Sequence, residues 1–454
     1  MKRISIIGMG YVGTAMATLV ASLKKGKNFR YFVTGIEKND KHGLSISKKI
    51  NSGIIPIQTN DENFKKKFLF ATKKKKNFIC LNTIGGIKGS KIVIVSINCD
   101  LKSKSNSDVN LNQFLRSIEL VLENIEKNSL LIIESTVPPG TCEKKIVPLI
   151  KKITKKRKMQ YNDIRLAYTY ERVMPGRNYL NSIQNYWRVM SGIDTKSKNE
   201  CENFLKNIIN TKKFPLTVLK NIRSCELGKI LENSYRSINI ALIEEWARFA
   251  ESINVDIYKI IEAIRLRPTH SNIRHPGFGV GGYCLTKDPL FGEYAAKKIW
   301  KIRNLNFKFS KNAIEINNRM PLESLKKLKK IFKNKMENKK ILILGMSYKE
   351  NVGDLRSSPS IYFAQKCLKL NSQVYWHDPY IDKIKLKKTT KINSLNNLSK
   401  FDLVLFAVKH DLYIKLRLDK KLDNTVIFDA NYVLTKKQLN MIEKKNINFH
   451  SIGR

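Results

Sequence analysis

Long apolar runs are missing from this 454-residue sequence. No stretch of about 18 apolar residues occurs, so no membrane-spanning helix is expected. Nor does the N-terminus read as a signal peptide. Lys2 and Arg3 lead into Ile4 to Val12, a short strand-like run that holds a glycine motif. Metal-binding patterns are missing as well: no CxxC pair or Cys/His cluster occurs among Cys80, Cys99, Cys142, Cys201, Cys225, Cys284 and Cys367, so no metal is expected. Scattered and odd in number, these cysteines fit a reduced, cytoplasmic protein with small buried thiols. Acidic residues are few, 38 against 85 lysines and arginines, for a formal charge of +47. That excess suggests nucleic acid. The lysines, however, run along the whole chain with few aromatics between them, which is the pattern of solvated helix faces and turns. Neither a nucleic-acid nor a membrane partner is expected.

What is present is an α/β pattern in a chain long enough for two or three domains, with 42% hydrophobic residues to fill their cores. An apolar strand at residues 3–8 runs into Gly8-Met9-Gly10-Tyr11-Val12-Gly13, then into an apolar helix to about Leu23. A second strand, Tyr31 to Ile36, ends at Glu37, 24 residues after Gly13. Strand, glycine turn, helix, strand and acid in one βαβ unit predict a dinucleotide site. The glycines permit a tight turn and close approach to a pyrophosphate, and the helix N-terminus faces its charge. Glu37 accepts hydrogen bonds from ribose hydroxyls and favours NAD over NADP. Further strands are expected at Lys91–Ile97, Leu130–Ile133 and Arg165–Tyr168, the last two ending at Ser135-Thr136-Val137-Pro138-Pro139-Gly140 and Tyr170-Glu171-Arg172-Val173.

From Ser224 to Ser252 the spacing is helical over about 40 Å. Lys229 and Asn233 share one face of that helix. A second glycine-rich segment, Gly277-Phe278-Gly279-Val280-Gly281-Gly282-Tyr283-Cys284, is followed by Lys287 and Asp288. Glycines bring backbone close to a ligand, and a thiol delivered there suggests covalent catalysis during a redox reaction. A second α/β pattern opens near Lys339, with strands at Ile341–Leu344, Val374–His377, Leu403–Val408 and Val426–Phe428. A helix capped by Ser358-Pro359 runs to about Leu370. Gly345-Met346-Ser347-Tyr348-Lys349-Glu350 lacks the later fingerprint glycines and suits a differently held nucleotide. The expected domains are 1–205, with the dinucleotide turn; 206–325, helical, with the cysteine loop; and 326–454, with the differently held nucleotide.

With these motifs in this order, the chain resembles the UDP-glucose/GDP-mannose dehydrogenase family over its whole length. The resemblance implies two Rossmann-like domains with parallel sheets, joined by a long central helix that also forms a homodimer interface. It implies an NAD-dependent, four-electron oxidation of a UDP-sugar C6 alcohol to a uronate for surface polysaccharide biosynthesis. Cys284 would form a thiohemiacetal and then a thioester. Lys229 would favour the thiolate and, with Asn233, stabilise oxyanions. Asp288 and Thr136 would hold the hydrolytic water, and Glu171 would serve in acid/base steps. Lys287 and Arg356 would lie on the cofactor side with Gly8, Gly10, Tyr11, Val12, Gly13 and Glu37. Phe278, Gly279, Gly281, Gly282 and Lys349 would lie on the substrate side. Arg267, in competition with Arg265 and Arg274, would cross to the partner subunit's sugar.

Some residues depart from the family pattern. Glu37 stands where many relatives have aspartate, Tyr283 where histidine is common, and Tyr170 where proline is common, while Asn98-Cys99-Asp100 lacks a frequent Thr-Pro. Glu171-Arg172-Val173-Met174-Pro175-Gly176 is more similar to the branch acting on UDP-N-acetylhexosamines than to the UDP-glucose branch. The alternatives are a UDP-glucose 6-dehydrogenase, a single-step hydroxyacid dehydrogenase, which needs no thiol, and a basic binding protein without activity.

Overall fold

Ile4, Ile6 and Ile7 give the first strand, β1 (Lys2–Ile7), buried side chains on both faces. A strand covered on both sides belongs inside a parallel sheet flanked by helices, and the computed structural model of this chain is built that way. It describes residues 1–103, 106–418, 422 and 424–454. The chain forms two compact units. Residues Met1–Glu232 and Leu290–Asn306 make the first, and Asn233–Pro289 and Phe307–Arg454 the second.

In the first unit, β1 is followed directly by α1 (Tyr11–Ala21), a helix so apolar that every residue from Gly13 to Ala21 is buried. The strands β2 (Tyr31–Ile36), β3 (Phe78–Leu81), β4 (Ile92–Val95), β5 (Ser129–Ile133) and β6 (Ile164–Tyr170) complete a parallel set. Their order, β6-β5-β4-β1-β2-β3, reverses between β1 and β4. That is the doubly wound arrangement, and its switch point is where ligands bind. Two short strands extend the edge, β7 (Val189–Gly192), antiparallel to β6, and β8 (Thr217–Val218). Apolar clusters fill both faces, one around Phe114, Ile133 and Tyr168, the other around Phe64, Phe68 and Phe78.

The 31-residue helix α2 (Ile222–Ser252) starts in the first unit and continues into the second. At about 1.5 Å per residue it is roughly 46 Å long. The second unit repeats the first topology with β9 (Lys340–Leu344), β10 (Gln373–His377), β11 (Thr389–Lys391), β12 (Leu403–Phe406), β13 (Val426–Asp429) and β14 (Phe449–Ser451). All are parallel, in the order β11-β10-β9-β12-β13-β14. Helix α3 (Pro359–Leu368) follows β9, with Ser358 as its cap. The expected α/β class with two Rossmann-like sheets and a long helix is therefore observed. Among the described residues no helix is long and apolar enough to cross a membrane.

Candidate active site

The first unit holds three groups of candidate residues at the carboxyl ends of its strands. At the end of β1, Gly13 packs its α-carbon against the turn: a Cβ there would lie 1.8 Å from the carbonyl oxygen of Gly8. Gly10 faces open space, and no side chain caps the first turn of α1. Tyr11 and Val12 stand half-buried at that helix start. A helix N-terminus with an uncapped first turn and an unobstructed glycine fits a pyrophosphate. Glu37, half-buried just past β2, accepts from the Met9 N–H at 2.5 Å through Oε1. The acid therefore stands beside the turn, as a ribose contact requires.

Thr136 lies past the end of β5. From Leu131 to Cys142 every residue is buried except Thr136. Ser135 is tied down by its hydroxyl, which donates to the Ile97 carbonyl at 2.6 Å. Glu134, before it, is buried between Arg188, at 2.8 Å, and the Ser96 hydroxyl, also at 2.8 Å. Burial pushes the Glu134 carboxyl up, against the pull of Arg188. The loop is thus rigid, with one hydroxyl-bearing side chain emerging.

Glu171 and Lys229 meet past the end of β6. The Lys229 ammonium donates to the Glu171 carbonyl at 2.8 Å and lies 5.5 Å from the centre of the Tyr170 ring. Lys229 is 7% exposed, so its charge sits in a poorly solvated place where it counts for more. The Glu171 carboxylate accepts from the Val173 N–H. Arg172 is clamped on Glu232 of α2 at 2.8 Å and donates to the Trp187 carbonyl at 2.7 Å. Glu232 carries no sequence motif, and its position one residue before Asn233 is the only hint of it.

In the second unit, Asn233 opens a chain of contacts. Its side-chain amide donates to Asp288 at 2.7 Å, and the other oxygen of Asp288 takes the Lys287 ammonium at 2.6 Å. Asp288 is fully buried and Lys287 5% exposed. A desolvated carboxylate of this kind requires such partners. The Asp288 N–H in turn donates to the Cys284 carbonyl at 2.9 Å, so the pair fixes the backbone that carries the thiol. Cys284 is exposed, and the other six cysteines are buried. Burial pushes the Cys80 and Cys225 thiols up to about 12, and those of Cys142, Cys201 and Cys367 upward as well. Thiols held protonated in that way are inert. Cys284 alone is offered to the surroundings.

The glycines before Cys284 turn out to serve the fold as well. A Cβ on Gly281 would lie 2.4 Å from the Cβ of Tyr348, and one on Gly282 would strike the Tyr348 ring at 2.9 Å. Gly279 faces Pro359 at 2.8 Å in the same way. The room that glycine leaves is filled by the turn that carries Lys349, so the cysteine loop and that turn are locked together. Phe278 is a core residue, 2% exposed and edge-on to Phe363. Its side chain is therefore inside, part of the second unit's core. Tyr283 lies between two cations, Lys287 at 4.4 Å and Arg356 at 5.6 Å from its ring centre. Arg356 is paired with Asp354 at 2.6 Å, a partner the sequence motif Asp354-Leu355-Arg356 contained but did not explain.

The competing arginines separate. Arg265 is committed internally, donating to the Ile273 carbonyl and meeting His275 at 2.9 Å. Arg274 is exposed, and desolvation together with the charges of Arg236 and Arg265 lowers its pKa. Arg267 is exposed at the start of a short turn, Pro268–His270.

Comparison with known proteins finds matches to one family along the chain. Residues 2–210 match the NAD binding domain of the UDP-glucose/GDP-mannose dehydrogenase family, residues 223–319 its central domain, and residues 342–436 its UDP binding domain. The chain is 30% identical to a UDP-N-acetyl-D-mannosamine dehydrogenase of Methanocaldococcus jannaschii, over 100% of this chain and 96% of that one. It is also 30% identical to a UDP-N-acetyl-D-mannosamine dehydrogenase of Pyrococcus horikoshii, over 100% and 99% of the two chains. A solved structure of a UDP-D-ManNAc dehydrogenase from Pyrococcus horikoshii superposes with a TM-score of 0.80 at 27% identity, covering 100% of this chain and 99% of that one.

Proposed function

Since this chain belongs to the UDP-glucose/GDP-mannose dehydrogenase family and is an NAD-dependent nucleotide-sugar dehydrogenase, we propose that it oxidises the C6 alcohol of a UDP-N-acetylhexosamine, foremost UDP-N-acetylmannosamine, to the carboxylate. The choice of sugar is supported by the names of the two full-length relatives above. The covalent route is supported by one observation above all: Cys284 is exposed among six buried thiols.

One alcohol, two NAD and one water give one carboxylate, two NADH and three protons. The Gly8–Gly13 turn and Glu37 would hold NAD, which would supply the hydride acceptor for each oxidation. In the first, the C6 hydroxyl loses its proton as C6 loses hydride, leaving the aldehyde. The Cys284 thiolate then adds to the aldehyde carbon, forming a C–S bond and an alkoxide. Lys229 and Asn233, one turn apart on α2, are the proposed donors to that oxyanion. Loss of the second hydride gives a thioester. Water held by Thr136 and Asp288 adds to its carbonyl, the C–S bond breaks, and the thiolate leaves. Glu171 handles protons in these steps. Removing a preorganised oxyanion donor typically costs about 10²- to 10³-fold in kcat, the size of effect expected for Lys229→Ala. Lys349 and the backbone of the 278–282 loop hold the nucleotide diphosphate, with Arg356 and Lys287 toward the cofactor.

The same reading includes a homodimer built on the central segment, 206–325. Leu227, Leu231, Tyr235, Leu242, Trp246 and Phe249 form one stripe along α2, each close to half exposed or more. A stripe of that length left in water marks an interaction surface. Arg267 would then reach a partner's sugar site. Light scattering checks this: a dimer is expected, and a stable monomer at micromolar concentration contradicts it. The reading keeps the enzyme in the cytoplasm, where thiols stay reduced.

The reaction is tested with excess NAD and, separately, UDP-N-acetylmannosamine, UDP-N-acetylglucosamine and UDP-glucose. Two NADH per sugar with an N-acetylhexosamine is expected. Turnover of UDP-glucose alone would move the chain to the other branch.

A further inference from the structure

Glu226 has no place in the reaction above, yet it is fully buried on α2, three residues before Lys229. Its two carboxylate oxygens accept from the main chain of the loop after Thr136, from the Gly140 N–H at 2.6 Å and from the Cys142 N–H at 2.9 Å. Burial pushes this carboxyl up to about 7 even though both N–H groups pull it down. A carboxyl this costly to bury is kept where it holds something in place.

The opposite side of the same turn is held by Trp300. Its indole N–H donates to the Pro139 carbonyl at 2.8 Å, and its ring lies where a Cβ on Gly140 would be, at 2.6 Å. Between Thr136 and the clamp stand Val137, Pro138 and Pro139, and two prolines in a row leave little freedom to absorb a shift. On its other flank Thr136 follows Ser135, pinned to the Ile97 carbonyl. The result is a buried loop clamped at both ends, from which Thr136 emerges.

We propose that Glu226 is a positioning residue: it ties the helix that carries Lys229 to the turn that carries Thr136, and so fixes where the hydrolytic water sits. The proposal rests on the reaction put forward above. A carboxylate suits the task because it accepts two N–H groups at once. An amide at the same place accepts one and turns its own N–H₂ toward the other.

Glu226→Gln therefore slows hydrolysis of the thioester more than the steps before it. A misplacement of about 1 Å can cost about 100-fold in rate, so kcat falls by about 10- to 100-fold while the KM for NAD stays at its wild-type value. Intact-protein mass measurement after mixing with NAD and the preferred UDP-sugar shows the substrate-derived acyl group accumulating on Cys284. A purely structural role would lower thermal stability without that adduct. Because Glu226 acts through Thr136, the double variant Glu226→Gln/Thr136→Ala is no slower than Thr136→Ala alone, since residues serving one step are not additive. Wild-type kcat in Glu226→Gln, or losses that multiply in the double variant, overturns the proposal. Should Glu226→Gln fail to fold, Trp300→Phe releases the other side of the turn while keeping a ring against Gly140. Unchanged kcat and no adduct in that variant likewise overturns it. A silent Thr136→Ala beside a slow Glu226→Gln removes Thr136 from the reaction and this role with it. A slow Thr136→Ala beside a silent Glu226→Gln removes only the role of Glu226.

Discussion

The turns after β1 and β9 start alike and end differently. Gly8 and Gly345 both take a left-handed φ, +92° and +104°, and a Cβ on either would strike the segment after the neighbouring strand, at Ile97 and Val408. Each turn is also met by an acid just past the next strand: Glu37 accepts from Met9, and Asp378 from Met346 at 2.8 Å and Ser347 at 2.9 Å. From there they part. The first turn enters α1 at Tyr11, whereas the second runs on past Lys349 and enters α3 only at Pro359. Glu37 is half-buried, within reach of a ligand. Asp378 is 2% exposed and also faces the buried His410 at 3.2 Å. One topology thus yields two kinds of turn. In the proposed reading the first presents a helix N-terminus to the NAD pyrophosphate, and the second a side-chain platform around Lys349, pinned from below, to the UDP.

If the comparison is right, Gly13→Ala has the largest effect. Its Cβ would lie 1.8 Å from the Gly8 carbonyl oxygen, an overlap costing about 3 kcal/mol or more. NAD binding is expected to vanish and calorimetry to show a destabilised first unit, with UDP still bound. Retained NAD affinity would show that the turn does not hold the cofactor.

A reciprocal pair comes next. Lys349→Ala loses a charge-assisted hydrogen bond, worth about 1.5–3 kcal/mol, so calorimetric titration should find UDP bound about 10- to 100-fold more weakly and NAD unchanged. Glu37→Ala should weaken NAD about tenfold, at the low end of that range, and leave UDP alone. Crossed effects would break the division of labour between the turns.

The smallest effect is on pH dependence. Although burial of Asp378 works in the other direction, hydrogen bonds from His410 and the Ser347 and Tyr380 N–H groups hold its carboxyl below the ordinary 3.8. Its stabilisation is therefore complete above that value and lost as pH falls through the lower folded one. Asp378→Asn should be less stable than wild type at pH 7, and the gap should narrow in acid unfolding curves below about pH 4. A gap that does not change with pH would deny the charge its role.

Local chemistry made much of this legible in sequence. The Gly8–Gly13 turn, Glu37, the long helix and the Cys284 loop each lie within one stretch of chain, and the structure puts them on the elements expected. Non-local pairing was less legible. The strand Phe78–Leu81 follows four lysines, and Val189–Gly192 pairs antiparallel with Ile164–Tyr170. Neither carries a turn signal that announces it. Along α2, Leu227, Ile230, Leu231, Tyr235, Ala241 and Leu242 share a helical spacing, yet Leu227, Leu231, Tyr235 and Leu242 form the exposed stripe while Ile230 and Ala241 are buried. Periodicity finds an apolar face without saying what covers it. Glu226 shows the same limit, because its partners Gly140 and Cys142 are more than 80 residues away. The one available signal was a carboxylate falling on the helix face shared by Ile222, Cys225 and Ile230, all buried.

The central claim is that Cys284 carries the second oxidation. It is tested most directly by giving Cys284→Ala excess NAD with the preferred UDP-sugar and measuring NADH and uronate formed per sugar consumed. No uronate and at most one NADH per sugar is predicted, while two NADH and uronate at the wild-type rate would contradict the covalent route.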